Sequence, residues 1–232
     1  MKDSRRGFLR SAAALGAAGL VPWAGPASAA DEKKDEEPEI SAPEDLMREH
    51  GVLNRLLLVY EEGLRRLLGK KEVSPKVFHA TAGLVRKFVE EYHERLEEKF
   101  LFPEFEKRKK LVGLVKTLRK QHEAGRALTE TILRDSDGDA FGKAEARDEL
   151  ARACAAFIRM YRPHEAREDT VLFPALYTVL PARRVRELGE HFEKEEDRVL
   201  GEKGFEKTVA QVAEIEKGLG IYDLDQFTPK GK

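Results

Sequence analysis

An eleven-residue pattern occurs twice in this chain, and few folds can use both copies. His93-Glu94-Arg95-Leu96-Glu97-Glu98-Lys99-Phe100-Leu101-Phe102-Pro103 returns as His164-Glu165-Ala166-Arg167-Glu168-Asp169-Thr170-Val171-Leu172-Phe173-Pro174, at an offset of 71. Two further histidines, in Glu49-His50 and Gln121-His122, stand 72 residues apart. A first pair of structural elements is therefore echoed by a second pair.

The spacing has chemical content if the elements are helices. Four residues along an α-helix turn a side chain by only about 40° and raise it by about 6 Å, so His93 shares a face with Glu97, and His164 with Glu168. In a pseudo-symmetric bundle those two faces meet across the core, and His50 and His122 each add an imidazole from a remaining helix. The resulting set is His50, His93, Glu97, His122, His164 and Glu168. If both carboxylates bridge, each of two metals receives two nitrogens and two oxygens and keeps room for another ligand. Imidazole with carboxylate and open positions favours non-heme iron or manganese over a closed tetrahedral zinc site. Two iron ions are the expected cofactor, with manganese or zinc as alternatives.

The remainder of the chain reads as helix. Charged residues make up 37% and hydrophobic residues 41%, and glycine and proline are scarce beyond residue 43, which favours long amphipathic helices and an all-α class. Ser41-Ala42-Pro43-Glu44 starts a helix whose apolar positions run from Leu46 to Leu67, ending near Gly69. Ser74-Pro75 starts a second, which Pro103 should kink or end. A third is expected over about 111–133 and a fourth over 143–179, distorted at Pro163 and Pro174. A fifth follows Pro181 to about residue 200, and a last one spans about 206–217. The expected architecture is an antiparallel up-and-down four-helix bundle over residues 42–200, with the C-terminal helix and tail at 201–232.

The N-terminus reads differently. Ser4-Arg5-Arg6-Gly7-Phe8-Leu9-Arg10, an apolar stretch from Ala12 to Val21, and Ala27-Ser28-Ala29 resemble a twin-arginine export signal spanning residues 1–29. Its apolar run of about ten residues falls short of the roughly 20 that span a bilayer. Residues 30–41 form a charged linker with almost no hydrophobes. The expected location is periplasmic or extracytoplasmic, without stable membrane association after cleavage. Beyond residue 29 there remain 38 basic and 42 acidic groups, intermixed, which gives no electrostatic pull toward nucleic acid. The single cysteine, Cys154, excludes an internal disulfide and reads as a small buried hydrophobe.

With these motifs in place, the chain resembles the hemerythrin-like cation-binding family. The resemblance implies an antiparallel four-helix bundle holding a non-heme di-iron centre. Such centres serve oxygen binding, sensing, iron handling, or defence against nitric oxide or peroxide, so the expected partner is a small diatomic or peroxide ligand. The same six residues fall on the family's ligand positions. Oxygen-carrying members bear a second histidine on the third helix, four residues after the first, where this chain has Arg126. Its four-histidine, two-glutamate set is closer to bacterial proteins linked to repair of iron centres, although it lacks their N-terminal cysteine region. Either a binding protein or a di-iron oxidoreductase would use such a site, and the redox partner is unspecified.

Several neighbours are expected to lie outside the set of ligands. Glu94 and Glu165 point about 100° from their histidines and are expected exposed or supporting. Asp169 is an alternative to Glu168. His79 sits about 21 Å along the helix from His93, beyond reach. His191 is expected at the surface, and Tyr161 is a candidate hydrogen-bond donor to a bound oxygen species.

Overall fold

Serine and proline set where the helices begin. In the computed structural model, which describes residues 40–229 and 231, α1 (Ala42–Leu68) starts behind Ser41, whose backbone N–H donates to the Glu44 carboxylate at 3.0 Å. The second helix starts behind Ser74, whose hydroxyl accepts from the Lys76 N–H, with Pro75 at the first helical position. This helix, α2, runs over 75–107. Then come α3 (Val112–Asp135), the short α4 (Gly138–Phe141), α5 over 144–179, α6 (Ala182–Val199) and α7 (Gly204–Leu219), with a final 3-10 turn at Leu224–Phe227. The described residues are helical and contain no strand, as the periodicity predicts.

The four long helices close a ring of contacts. α1 packs on α2 and α5, and α3 packs on the same two. Their inward faces supply Leu53, Leu56, Tyr60, Phe88, Tyr92, Leu118, Phe157 and Tyr161, all essentially buried. α1 and α2 approach closely enough that a Cβ on Gly63 would lie 2.7 Å from the Phe78 ring, so only glycine fits there. Helices α6 and α7 pack against α1 and α2, and α7 is clamped by Arg55, which donates to Glu216 at 2.9 and 2.5 Å. No described helix is long and apolar enough to cross a membrane. The predicted export signal and nearly all of the predicted linker lie outside the described residues.

Neither proline of the Leu-Phe-Pro repeat ends its helix. α2 continues to Lys107 and α5 to Val179. Immediately before each proline the backbone widens into a π-helical turn, Glu97–Leu101 in α2 and Glu168–Leu172 in α5. The Phe102 N–H bonds back to the Glu97 carbonyl, and the Phe173 N–H to the Glu168 carbonyl, five residues rather than four. A proline ring clashes with the carbonyl four residues earlier in a regular helix, and one extra residue in the turn relieves that clash. A further π-helical segment, Val85–His93, leads into the first histidine of the repeat.

Candidate metal centre

Both widened turns begin on a glutamate of the repeat, and the two glutamates face each other in the middle of the four-helix ring. Glu97 and Glu168 are fully buried, and His50, His93, His122 and His164 are each at most 4% exposed. Their potential ligand atoms form two groups that meet at Glu97. In one, His50, His93 and Glu97 lie within 4.8 Å of one another, and in the other Glu97, His122, His164 and Glu168 do. The structure thus brings all six predicted residues together, one or two from each long helix.

The imidazole Nε2 atoms point inward. Those of His50 and His93 are 3.1 Å apart. Glu97 Oε2 lies 3.8 Å from His93 Nε2 and 3.4 Å from His122 Nε2. Glu168 Oε2 lies 3.5 Å from His50 Nε2 and 3.1 Å from His164 Nε2. Each carboxylate therefore stands between one histidine of the His50/His93 pair and one of the His122/His164 pair. All four oxygens of Glu97 and Glu168, together with His122 Nε2, are buried without a well-formed hydrogen bond. Buried polar atoms are rarely left so, and a cluster of them aimed at one point marks a place for a cation.

The opposite face of every imidazole is held. His93 Nδ1 is 2.8 Å from Glu49, which also accepts from the Tyr92 hydroxyl at 2.7 Å. His50 Nδ1 is 2.7 Å from Asp169, His122 Nδ1 3.1 Å from Glu98, and His164 Nδ1 3.0 Å from Gln121. Such contacts fix the ring and its tautomer so that Nε2 is presented to a metal, and a carboxylate partner makes the imidazole a stronger donor. Helix-face spacing does not reach these residues, apart from Asp169, the alternative to Glu168. Their signal was nonetheless present: each sits directly beside one of the six, in Glu49-His50, Gln121-His122, Glu97-Glu98 and Glu168-Asp169.

Electrostatics reflects the crowding. Burial opposes a charge on His50, but Asp169 and Glu168 outweigh it and raise its pKa to about 10. Burial pushes His93 down despite Glu49. Burial, with repulsion from Glu168 and Glu94, lifts Glu97 well above the usual carboxylate range. Glu168 moves the other way, because His164 and His50 overcome its burial. Facing carboxylates that cannot both ionise unaided are the arrangement that bound cations neutralise.

Of the two places expected for Glu94 and Glu165, exposed or supporting, both take the second. Glu94 is buried rather than exposed: it accepts from the Tyr161 hydroxyl at 2.6 Å and from Arg126 at 2.7 Å, and Arg126 also reaches Glu98 at 2.6 Å. Glu165 is likewise buried and accepts from Asn54 at 3.1 Å. The Tyr161 hydroxyl is thus already engaged by Glu94, with its ring 5.3 Å from that of His164. His79 contacts Ser136 far from the centre, and His191 is exposed and stacks on Phe100. Cys154 is buried, and burial pushes its thiol pKa up.

Fold and site together define a helical protein with a buried histidine and carboxylate cluster suited to metal ions. The profile of the hemerythrin HHE cation binding domain matches residues 41–176, and the chain belongs to that family. The match ends short of α6, which the sequence expectation had included. Two relatives described only as uncharacterized proteins, one from Mycobacterium tuberculosis and one from Mycobacterium bovis, are each 50% identical over 199 residues. Each alignment covers 86% of this chain and 78% of the relative. No solved structure matches the chain.

Proposed function

We propose that the chain is an antiparallel four-helix hemerythrin-like protein holding two iron ions, and that it binds a small ligand such as dioxygen, nitric oxide or peroxide. His50 and His93 would hold one ion and His122 and His164 the other, with Glu97 and Glu168 between them. The observation that carries this reading is the inward cluster of buried, unbonded carboxylate oxygens, backed by imidazoles whose outer nitrogens are all held. Iron in such a site would supply reversible binding of a diatomic or peroxide ligand and one-electron redox chemistry. The protein's own contribution is to orient four imidazoles, keep water from the buried carboxylates, and fix the spacing of the two positions.

Elemental analysis of anaerobically purified protein tests this directly, with about two irons per chain expected and a visible charge-transfer band on exposure to air. A protein devoid of metal would overturn the reading. The same centre would serve an oxidoreductase, distinguished by many turnovers of peroxide or nitric oxide per chain rather than stoichiometric binding. Export by the twin-arginine route is supported by the Arg5-Arg6 segment. It is tested by replacing both arginines with lysine and following the protein between cytoplasmic and extracytoplasmic fractions; unchanged export would refute it.

A further inference from the structure

The two halves of the repeat are not electrically equal. Around the centre, residues at an offset of 71 or 72 occupy matching places. Glu98 matches Asp169, each holding a histidine Nδ1, and Glu94 matches Glu165, each set one residue past a histidine. The two remaining pairs differ in charge, and both differ in the same direction. Glu49, a carboxylate on His93, matches Gln121, a neutral amide on His164. Asn54, a neutral amide on Glu165, matches Arg126, a guanidinium on Glu94 and Glu98.

We infer that the two metal positions are unequal in affinity: the His50/His93 position takes the first cation tightly, and the His122/His164 position takes the second weakly and exchanges it. This rests on the two-metal reading above. At the first position both imidazoles are backed by carboxylates, Asp169 and Glu49, and neither carboxylate contacts an arginine or lysine among the described ion pairs. At the second, one imidazole is backed by an amide, and the other by a carboxylate already shared with Arg126. A carboxylate on the outer nitrogen raises the donor strength of an imidazole, and such partners typically change metal affinity by roughly 10- to 100-fold. In a buried site the nearby guanidinium adds a repulsion for a divalent cation that the first position does not meet.

The test is a titration of the metal-free protein with Co(II), which reports occupancy through its visible bands, read with chelator competition. Two equivalents are expected to bind in two steps separated by roughly 10- to 100-fold in Kd. Repulsion between two cations would also split the steps, so substitutions at the unequal pairs carry the decision. Gln121→Glu should tighten the weaker step and narrow the gap, and Glu49→Gln should weaken the tighter one. His122→Ala should keep the tight step, and His93→Ala should lose it; circular dichroism verifies that each variant is folded. Two equivalents bound with a gap that Gln121→Glu and Glu49→Gln leave unmoved would overturn the inequality while leaving the two-metal centre standing. Binding of fewer than two equivalents by the unsubstituted protein would overturn both.

Discussion

The half built from α1 and α2 and the half built from α3 and α5 carry the same histidines and glutamates, yet they differ in what stands behind them. In the first, His93 leans on Glu49 and the fourth residue after His50 is the amide of Asn54. In the second, His164 leans on Gln121 and the matching residue is Arg126, which ties Glu94 and Glu98 together. A duplicated scaffold can thus keep its inner geometry while its outer residues drift in charge. Inner positions are constrained from several sides at once, whereas an outer residue has only to keep a hydrogen bond.

Substitutions can break or sharpen this comparison. The largest effect should come from His93→Ala combined with His164→Ala, which takes one imidazole from each half: metal should be lost on elemental analysis, and the purified protein should melt earlier by an amount reflecting several kcal/mol of lost ligation. Arg126→Met removes the arginine that pairs with buried Glu94 and should cost about 3 kcal/mol by chemical denaturation, since breaking a buried ion pair leaves a charge uncompensated, while Glu98 keeps Arg95. Asn54→Ala, the matching change in the other half, leaves no bare charge pair and should cost about 1 kcal/mol. Equal losses at the two positions would show that the charge difference has no energetic weight.

Effects below that of Arg126→Met should follow at the contact between α3 and α5. A Cβ on Gly125 would lie 2.1 Å from the Tyr161 hydroxyl, so Gly125→Ala must displace that tyrosine and should cost about 2 kcal/mol through overpacking. Tyr161→Phe keeps the ring and loses only the bond to Glu94, at about 1 kcal/mol. Cys154, buried with its thiolate disfavoured, should not react with Ellman's reagent in the native protein and should react fully once denatured.

Much of the molecule was legible in its sequence because two periodicities reinforce each other. Helical spacing of apolar residues placed all the long helices within a few residues, and the offset of 71 to 72 picked out the six residues at the centre. What escaped was contact between helices. Glu49 and Gln121 are neighbours in sequence to one histidine but hold a different one, so reading along a single helix face could not assign them. The angle of Glu94 from His93 leaves it either exposed or supporting, and only the contacts with Arg126 and Tyr161 from α3 and α5 decide for the second. The widened turns escaped because a proline reads as a helix breaker, whereas here each helix accommodates it by an added residue.

Those widened turns also behave as pinned defects. An extra residue in a helical turn can in principle travel along the helix, each amide exchanging its acceptor for the next. Pro103 and Pro174 have no amide hydrogen to exchange, so they bar the defect from moving toward the C-terminus past Glu97–Leu101 and Glu168–Leu172. Replacing Pro103 with alanine should release it, visible as faster hydrogen exchange of the amides around residues 97–102, while the turn in α5, still closed by its own proline, keeps its slower rate.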